Sequence, residues 1–234
     1  MSSADNPILV ALDVDRAEEA LRLAHDLAPV VGGFKIGLEL LMGPGPAFIG
    51  PLTEVGLPVF VDAKLHDIPN TVHRAARQIG RWGARWLTVH AAGGTAMLGA
   101  AVEGLEDGAG ARLAGILAVT VLTSLDEAEL AKTGTPLSSG KLTARRARLA
   151  AEAGCEGVIC SVRELGVVGD VAPGLLRVTP GIRPEGVDAH DQARVATPAE
   201  ARQRGADLLV VGRAITRAPD PVRAAASILA GVRS

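Results

Sequence analysis

Residues 59–68 run Val-Phe-Val-Asp62-Ala-Lys64-Leu-His-Asp67-Ile, an apolar, β-favouring stretch that ends in charges of alternating sign. Asp62 and Lys64 are two apart, so on a strand they share a face. A strand covered on both sides carries charge only where the charge is paired or used. An ammonium held between carboxylates stays protonated, which is the state a proton donor needs. The plain alternative is a structural ion pair. At about 4 Å and an effective dielectric of about 20 the bare attraction is roughly 4 kcal/mol, the same order as the desolvation cost. Stability alone is therefore a weak reason for placing the pair there.

Further charges sit where apolar runs end. Asp13 follows Ile8–Leu12, and it could equally be a turn residue beside Asp15. Lys35 lies between Phe34 and Ile36, with Gly33 and Gly37 leaving room near it; the alternative is a lysine that snorkels to the surface. Asp67 precedes Ile68-Pro69-Asn70-Thr71, where Pro69 reads as the first turn of a helix, so Asp67 could simply cap it. His90 could be an ordinary buried histidine. The remaining histidines, His25, His66, His73 and His190, have no ligand spacing, so no metal site is expected. Gly181-Ile182-Arg183 and Gly212-Arg213 pair glycine with arginine after two late apolar runs, a pattern suited to a phosphate dianion. Between them, residues 183–197 are polar and long for a loop, and could close over a bound phosphate with Gln192 reaching it.

These groups need a scaffold that brings strand ends together. Eight β-like runs recur: Ile8–Val14, Gly33–Leu38, Pro58–Lys64, Trp86–Ala91, Leu113–Thr120, Gly157–Ser161, Leu175–Gly181 and Asp207–Ile215. Between them lie Ala- and Leu-rich stretches at helical spacing, such as Arg16–Leu27, Thr71–Trp82 and Thr143–Ala153. Gly83, Gly154 and Gly205 follow helical stretches where a C-cap is expected. Eight alternations in 234 residues predict one α/β domain spanning 1–234, a (β/α)8 TIM barrel. A doubly wound sheet is the alternative, but no Gly-x-Gly-x-x-Gly follows the first strand. In a barrel, Asp13, Lys35, Asp62, Lys64, His90, Thr123, Arg183 and Arg213 all fall at one rim, the end where barrel active sites lie.

Composition narrows the rest. The chain is 48% hydrophobic but only 2% aromatic, so Val, Leu, Ile and Ala must build the core, as in helix-covered parallel sheets. With 24 basic against 26 acidic residues and no basic block, nucleic acid is not an expected partner. Cys155 and Cys160 fit small core residues of a reducing compartment. The start of the chain has no basic region followed by an apolar one, and no long apolar run is present, so no membrane association and a cytoplasmic location are expected.

Asp62-Ala-Lys64-Leu-His-Asp67-Ile-Pro-Asn-Thr71 closely resembles the signature of the orotidine 5′-phosphate decarboxylase family. Leu12-Asp13, Phe34-Lys35-Ile-Gly, Thr179-Pro-Gly-Ile-Arg183, Asp191-Gln192 and Val-Gly212-Arg213-Ala-Ile resemble its other motifs, in order, over about residues 8–220. The resemblance implies conversion of orotidine 5′-phosphate (OMP) to UMP and carbon dioxide, without metal or organic cofactor. It makes Lys64 the acid that protonates pyrimidine C6, and puts Asp62 beside the substrate carboxylate. It implies a homodimer in which Asp67 crosses into the neighbouring site with Ile68 and Thr71 beside it. Asp13 and Lys35 contact the ribose, Thr123 contacts the pyrimidine and Pro180 shapes its pocket. Gln192, Gly212 and Arg213 hold the 5′-phosphate, with Arg183 at the start of the long loop. His90 falls on the ribose-facing side. The rival reading is a 3-keto-L-gulonate 6-phosphate decarboxylase or a hexulose phosphate synthase; these share Asp-x-Lys-x-x-Asp but place an acidic magnesium ligand on strand 2, where this chain has Lys35.

Overall fold

The computed structural model describes residues 6–183 and 196–233. The eight strands are β1 Ile8–Ala11, β2 Gly33–Ile36, β3 Val59–Leu65, β4 Trp86–His90, β5 Gly115–Val119, β6 Gly157–Ile159, β7 Leu176–Thr179 and β8 Leu208–Val211. Each pairs in parallel with its sequence neighbours, and β1 pairs with β8, closing a barrel. The helices are α1 Ala17–Leu27, α2 Leu38–Met42, α3 Ile49–Thr53, α4 Pro69–Arg81, α5 Gly94–Ala109, α6 Glu127–Lys132, α7 Ser139–Glu152, α8 Leu165–Val171, α9 Pro198–Gln203, α10 Arg213–Thr216 and α11 Pro221–Arg233. Gly83, Gly154 and Gly205 have positive φ just past α4, α7 and α9, as expected of C-caps. The last strand is shorter than the apolar pattern predicts. It ends at Val211, and Gly212 turns the chain into α10, so Arg213 opens a helix rather than extending a strand. No helix among the described residues is long and apolar enough to cross a membrane.

Alternation along each strand sorts the apolar residues into two cores. Leu9, Phe60, Trp86, Leu117 and Val178 point inward and fill the barrel. Val10, Phe34, Ile36, Val61, Leu87 and Val89 point outward and pack beneath the helices with Leu23, Ala76, Leu98 and Leu105. Cys155 and Cys160 are buried among the outer set, and burial pushes the Cys155 thiol up to about 12, so it is inert packing. Toward the C-terminal ends of β2 and β3 the cavity-facing positions are Lys35, Asp62 and Lys64, where charge replaces the apolar lining.

One helix pair packs closer than side chains permit. A Cβ on Gly104 would lie 2.2 Å from the His73 carbonyl oxygen, and one on Gly108 would lie 2.1 Å from that of Arg77. A Cβ on Gly80 would come within 2.5 Å of the Leu105 carbonyl oxygen. Gly104 and Gly108 are four apart and share one face of α5, so α4 and α5 meet backbone to backbone along that face. The His73 imidazole, 3.5 Å from Asp107, adds a polar contact across the seam.

Candidate active site

Four charged side chains form a continuous array at the C-terminal rim. The Lys35 ammonium donates to Asp13 Oδ1 at 2.7 Å and lies 4.0 Å from Asp62 Oδ2. The Lys64 ammonium donates to the same Asp62 Oδ2 at 2.7 Å. The order Asp13–Lys35–Asp62–Lys64 crosses β1, β2 and β3, alternating in sign throughout. Lys35 does not snorkel: only 7% of it is exposed. Gly37 gives its ammonium room, since a Cβ there would lie 3.2 Å from Nζ. Gly33 serves a different purpose from the one expected, because it clears Pro58 and Leu9 rather than Lys35. The Lys64 side chain, at 34% exposure, is the more open of the two lysines.

Asp62 and Lys64 do not sit on a regular strand. Val61 pairs with Leu87 and Leu65 with Val89, so four steps along β3 match two along β4. Residues 62–64 bulge opposite Thr88. Lys64 takes φ 49°, making it the one non-glycine among the described residues with positive φ. Such a conformation costs an L-residue about 1–2 kcal/mol, and it is tolerated where the surroundings fix it. Thr88, fully buried on β4, supplies the fixing. Its hydroxyl accepts from the Lys64 backbone N–H at 2.9 Å and donates to Asp62 Oδ1 at 2.8 Å. Sequence reasoning passed over Thr88. The available signal was a hydroxyl two before His90, on the inward face of the otherwise apolar run Trp-Leu-Thr-Val.

The array borders a cavity of about 240 Å³. Ala11, Phe60, Val119, Ile159 and Val210 line its apolar part, Val121, Leu122 and Thr123 enter after β5, and Pro180 after β7. Gly181, Ile182, Arg183, Gly212 and Arg213 line the side formed by the last two strands. The cavity thus has the carboxylate–ammonium array on one side and two arginines on another. Arg183 is buried, and the base of its loop is pinned by a bridge between Ile182 and Ala196, with the Arg183 N–H donating to the Ala196 carbonyl at 3.0 Å. Gln192 and the interior of the 183–197 segment lie outside the described residues.

Three expected site residues do not join this cavity. Asp67, Ile68 and Thr71 stand exposed at the entry to α4, with Ile68 66% exposed. Asp67 does not cap α4: the cap residue is Ile68, and Asp67 Oδ1 accepts from the Ile68 N–H at 2.6 Å. Pro69 at the first turn removes one of the donors a cap would serve. Within one chain the charge array therefore ends at Lys64.

His90 ends β4 with its ring centroid 5.6 Å from that of His66. Burial holds its pKa below the ordinary value, and the nearby His66, Lys64 and Arg146 add to that, while Asp62 acts the other way. A neutral imidazole beside the array adds no further positive charge.

A closed parallel barrel with an alternating charge array at its C-terminal rim, opposite paired glycine–arginine loops, defines the class of barrel enzymes that act on anionic metabolites. Within that class, residues 6–228 match the model of the orotidine 5′-phosphate decarboxylase / HUMPS family, and the chain belongs to it. It is 51% identical over 226 residues to the orotidine 5′-phosphate decarboxylase of Anaeromyxobacter sp. (strain K), covering 96% of this chain and 97% of that one. Its identity to the protein of the same name from Paramagnetospirillum magneticum is 46% over 229 residues, covering 96% and 97%. Among solved structures, orotidine 5′-phosphate decarboxylase from Lactobacillus acidophilus superposes with a TM-score of 0.87 at 36% identity, covering 98% of this chain and 100% of that one. That from Pyrococcus horikoshii OT3 gives 0.78 at 29%, covering 97% and 99%.

Proposed function

We propose that the protein decarboxylates OMP to UMP, with Lys64 as the acid that protonates C6, and that it needs no metal. The observation that carries this reading is the Asp13–Lys35–Asp62–Lys64 array facing the cavity. Loss of carbon dioxide leaves a C6 carbanion with little delocalisation. Only interactions stronger in that transition state than in the substrate speed the step. An ammonium already fixed beside the reacting carbon stabilises the charge without reorganisation and then delivers its proton. Asp62 orients Lys64 through its 2.7 Å contact with the ammonium. Lys35 and Asp13 hold the ribose, and Thr123 and Pro180 bound the pyrimidine. Arg183, Gly212 and Arg213 take the 5′-phosphate, with Gln192 assigned there by the family motif. Binding energy from the phosphate, remote from C6, assembles the site.

Metal independence rests on the donor set. The carboxylates that could ligate a cation, Asp13 and Asp62, are each held by an ammonium at 2.7 Å, and Lys35 repels a divalent ion from strand 2. Exposed Asp67, Ile68 and Thr71, placed away from their own cavity, suit a homodimer in which each chain completes the other's site. The reading places this enzyme in the cytoplasm.

The test is formation of UMP from OMP by the purified protein in the presence and absence of EDTA. Turnover unchanged by EDTA supports the reading. No UMP from OMP overturns it. Turnover of a phosphosugar acid that requires magnesium would move the protein to the other branch of its family.

A further inference from the structure

We infer that Thr88 is a positioning residue for the proton donor, acting through a single hydroxyl that locks the β3 bulge. This rests on the reading of Lys64 as the proton donor. The bulge strips the Lys64 N–H of a strand partner, and a buried N–H left unpaired costs about 1–3 kcal/mol. The Thr88 hydroxyl accepts that N–H, and its own proton goes to Asp62 Oδ1. A hydroxyl has one donor and two acceptor sites, so one group meets both demands.

The consequence is a division of labour on Asp62. Oδ1 is held by Thr88, which leaves Oδ2 facing both ammoniums, Lys64 at 2.7 Å and Lys35 at 4.0 Å. The backbone of Lys64 is fixed in the left-handed region by the same atom that aims the carboxylate holding its side chain. Removing the hydroxyl frees both ends of the Asp62–Lys64 pair at once. Thr88 is absent from the residues that line the cavity, so its effect on turnover passes through those two.

The experiment compares Thr88→Val, which keeps the shape and loses the hydroxyl, with Thr88→Ser, which keeps the hydroxyl. UMP affinity serves as the measure of a folded, ligand-competent pocket. In the Val variant kcat is expected to fall by about 30-fold or more, while KM and UMP affinity stay within about 3-fold. The Ser variant is expected to return kcat to within about 5-fold of wild type. A crystal structure of the Val variant should show Lys64 moved out of positive φ. If Val does not yield protein that binds UMP, Thr88→Ala removes the same hydroxyl without adding a methyl beside the carboxylate and is read by the same criteria. The inference is overturned by near-wild-type kcat in the hydroxyl-less variant, by a Ser variant as impaired as Val, or by losses in kcat and UMP affinity that run in parallel. Wild-type protein that does not decarboxylate OMP sinks the functional reading instead, and is seen before any variant is made.

Discussion

The barrel carries a charged cluster at each end, and the two are built on opposite plans. At the N-terminal end, Arg85 just before β4 meets Glu156 just before β6. Its two terminal nitrogens donate to the two carboxylate oxygens at 2.6 and 2.5 Å, and Trp86 Nε1 donates to one of them at 3.3 Å. The guanidinium lies 4.6 Å over the Trp86 ring. Both oxygens of the Glu156 carboxylate are taken by the guanidinium, and one also by the indole, so the carboxylate is closed, as in a bidentate pair. At the C-terminal end the cations are lysines, each with three donor hydrogens, and Lys64 makes one close ion pair. Donor capacity remains there, beside a cavity. A closed cluster fastens the barrel, whereas an open one can act on a ligand.

The largest expected effect lies at the open end. On the proposed role of Lys64, Lys64→Ala should lower turnover of OMP by at least about a thousandfold while UMP still binds, since a general acid is worth about 10² to 10⁴ and a fixed ammonium would stabilise the carbanion as well. Turnover within tenfold of wild type would erase the contrast between the clusters. The second test asks whether the open cluster is completed from another chain. Asp67→Ala and Lys64→Ala, each expected to be inactive alone, are mixed and allowed to exchange subunits. Random pairing gives about half mixed dimers, each with one intact site, so about a quarter of wild-type activity should return. No recovery after subunit exchange is verified by mass spectrometry would leave Asp67 without a shared role.

The closed end should answer in stability alone. Glu156→Gln leaves the guanidinium with a neutral partner. Because both side chains keep some exposure, the loss should be about 1–2 kcal/mol, a drop of roughly 3–6 °C in Tm, with kcat unchanged. A changed kcat with unchanged Tm would reverse the assignment. The smallest effect concerns His90. Its pKa in the folded protein lies below the ordinary 6.5, so the unfolded chain binds the proton first as pH falls. The associated stability is present above pH 6.5 and is lost as pH falls through the folded value. Wild-type Tm should therefore drop more between about pH 7 and about pH 5 than that of His90→Asn. Parallel curves would show that His90 is not held neutral.

Sequence and structure agree most where physics is local. The eight apolar runs were legible because strands buried on both faces need them, and Asp62, Lys64 and Lys35 were legible because charge has no passive place in such runs. The last run was read too far, since Ala214 and Ile215 continue the apolar pattern after Gly212 has already turned the chain into α10. Asp67 looked like a cap because its spacing to Pro69 fits one, yet the chain direction at Ile68 aims its carboxylate at the adjacent N–H instead. Thr88 carried a signal only as a hydroxyl in an apolar run, and the bulge it locks was invisible for a deeper reason. A register shift is a property of two strands, and neither Asp62-Ala-Lys64 nor Trp-Leu-Thr-Val-His carries it alone.

The glycine seam between α4 and α5 has a mechanical consequence. Helices that touch through side chains can slide as rotamers change, but Gly104 and Gly108 leave no side chain at the contact. The pair behaves as one thick beam, and residues 66–71 are the tip mounted on its end. A tip on a stiff beam keeps its aim under thermal agitation, which is what a group needs if its target is not held by its own chain.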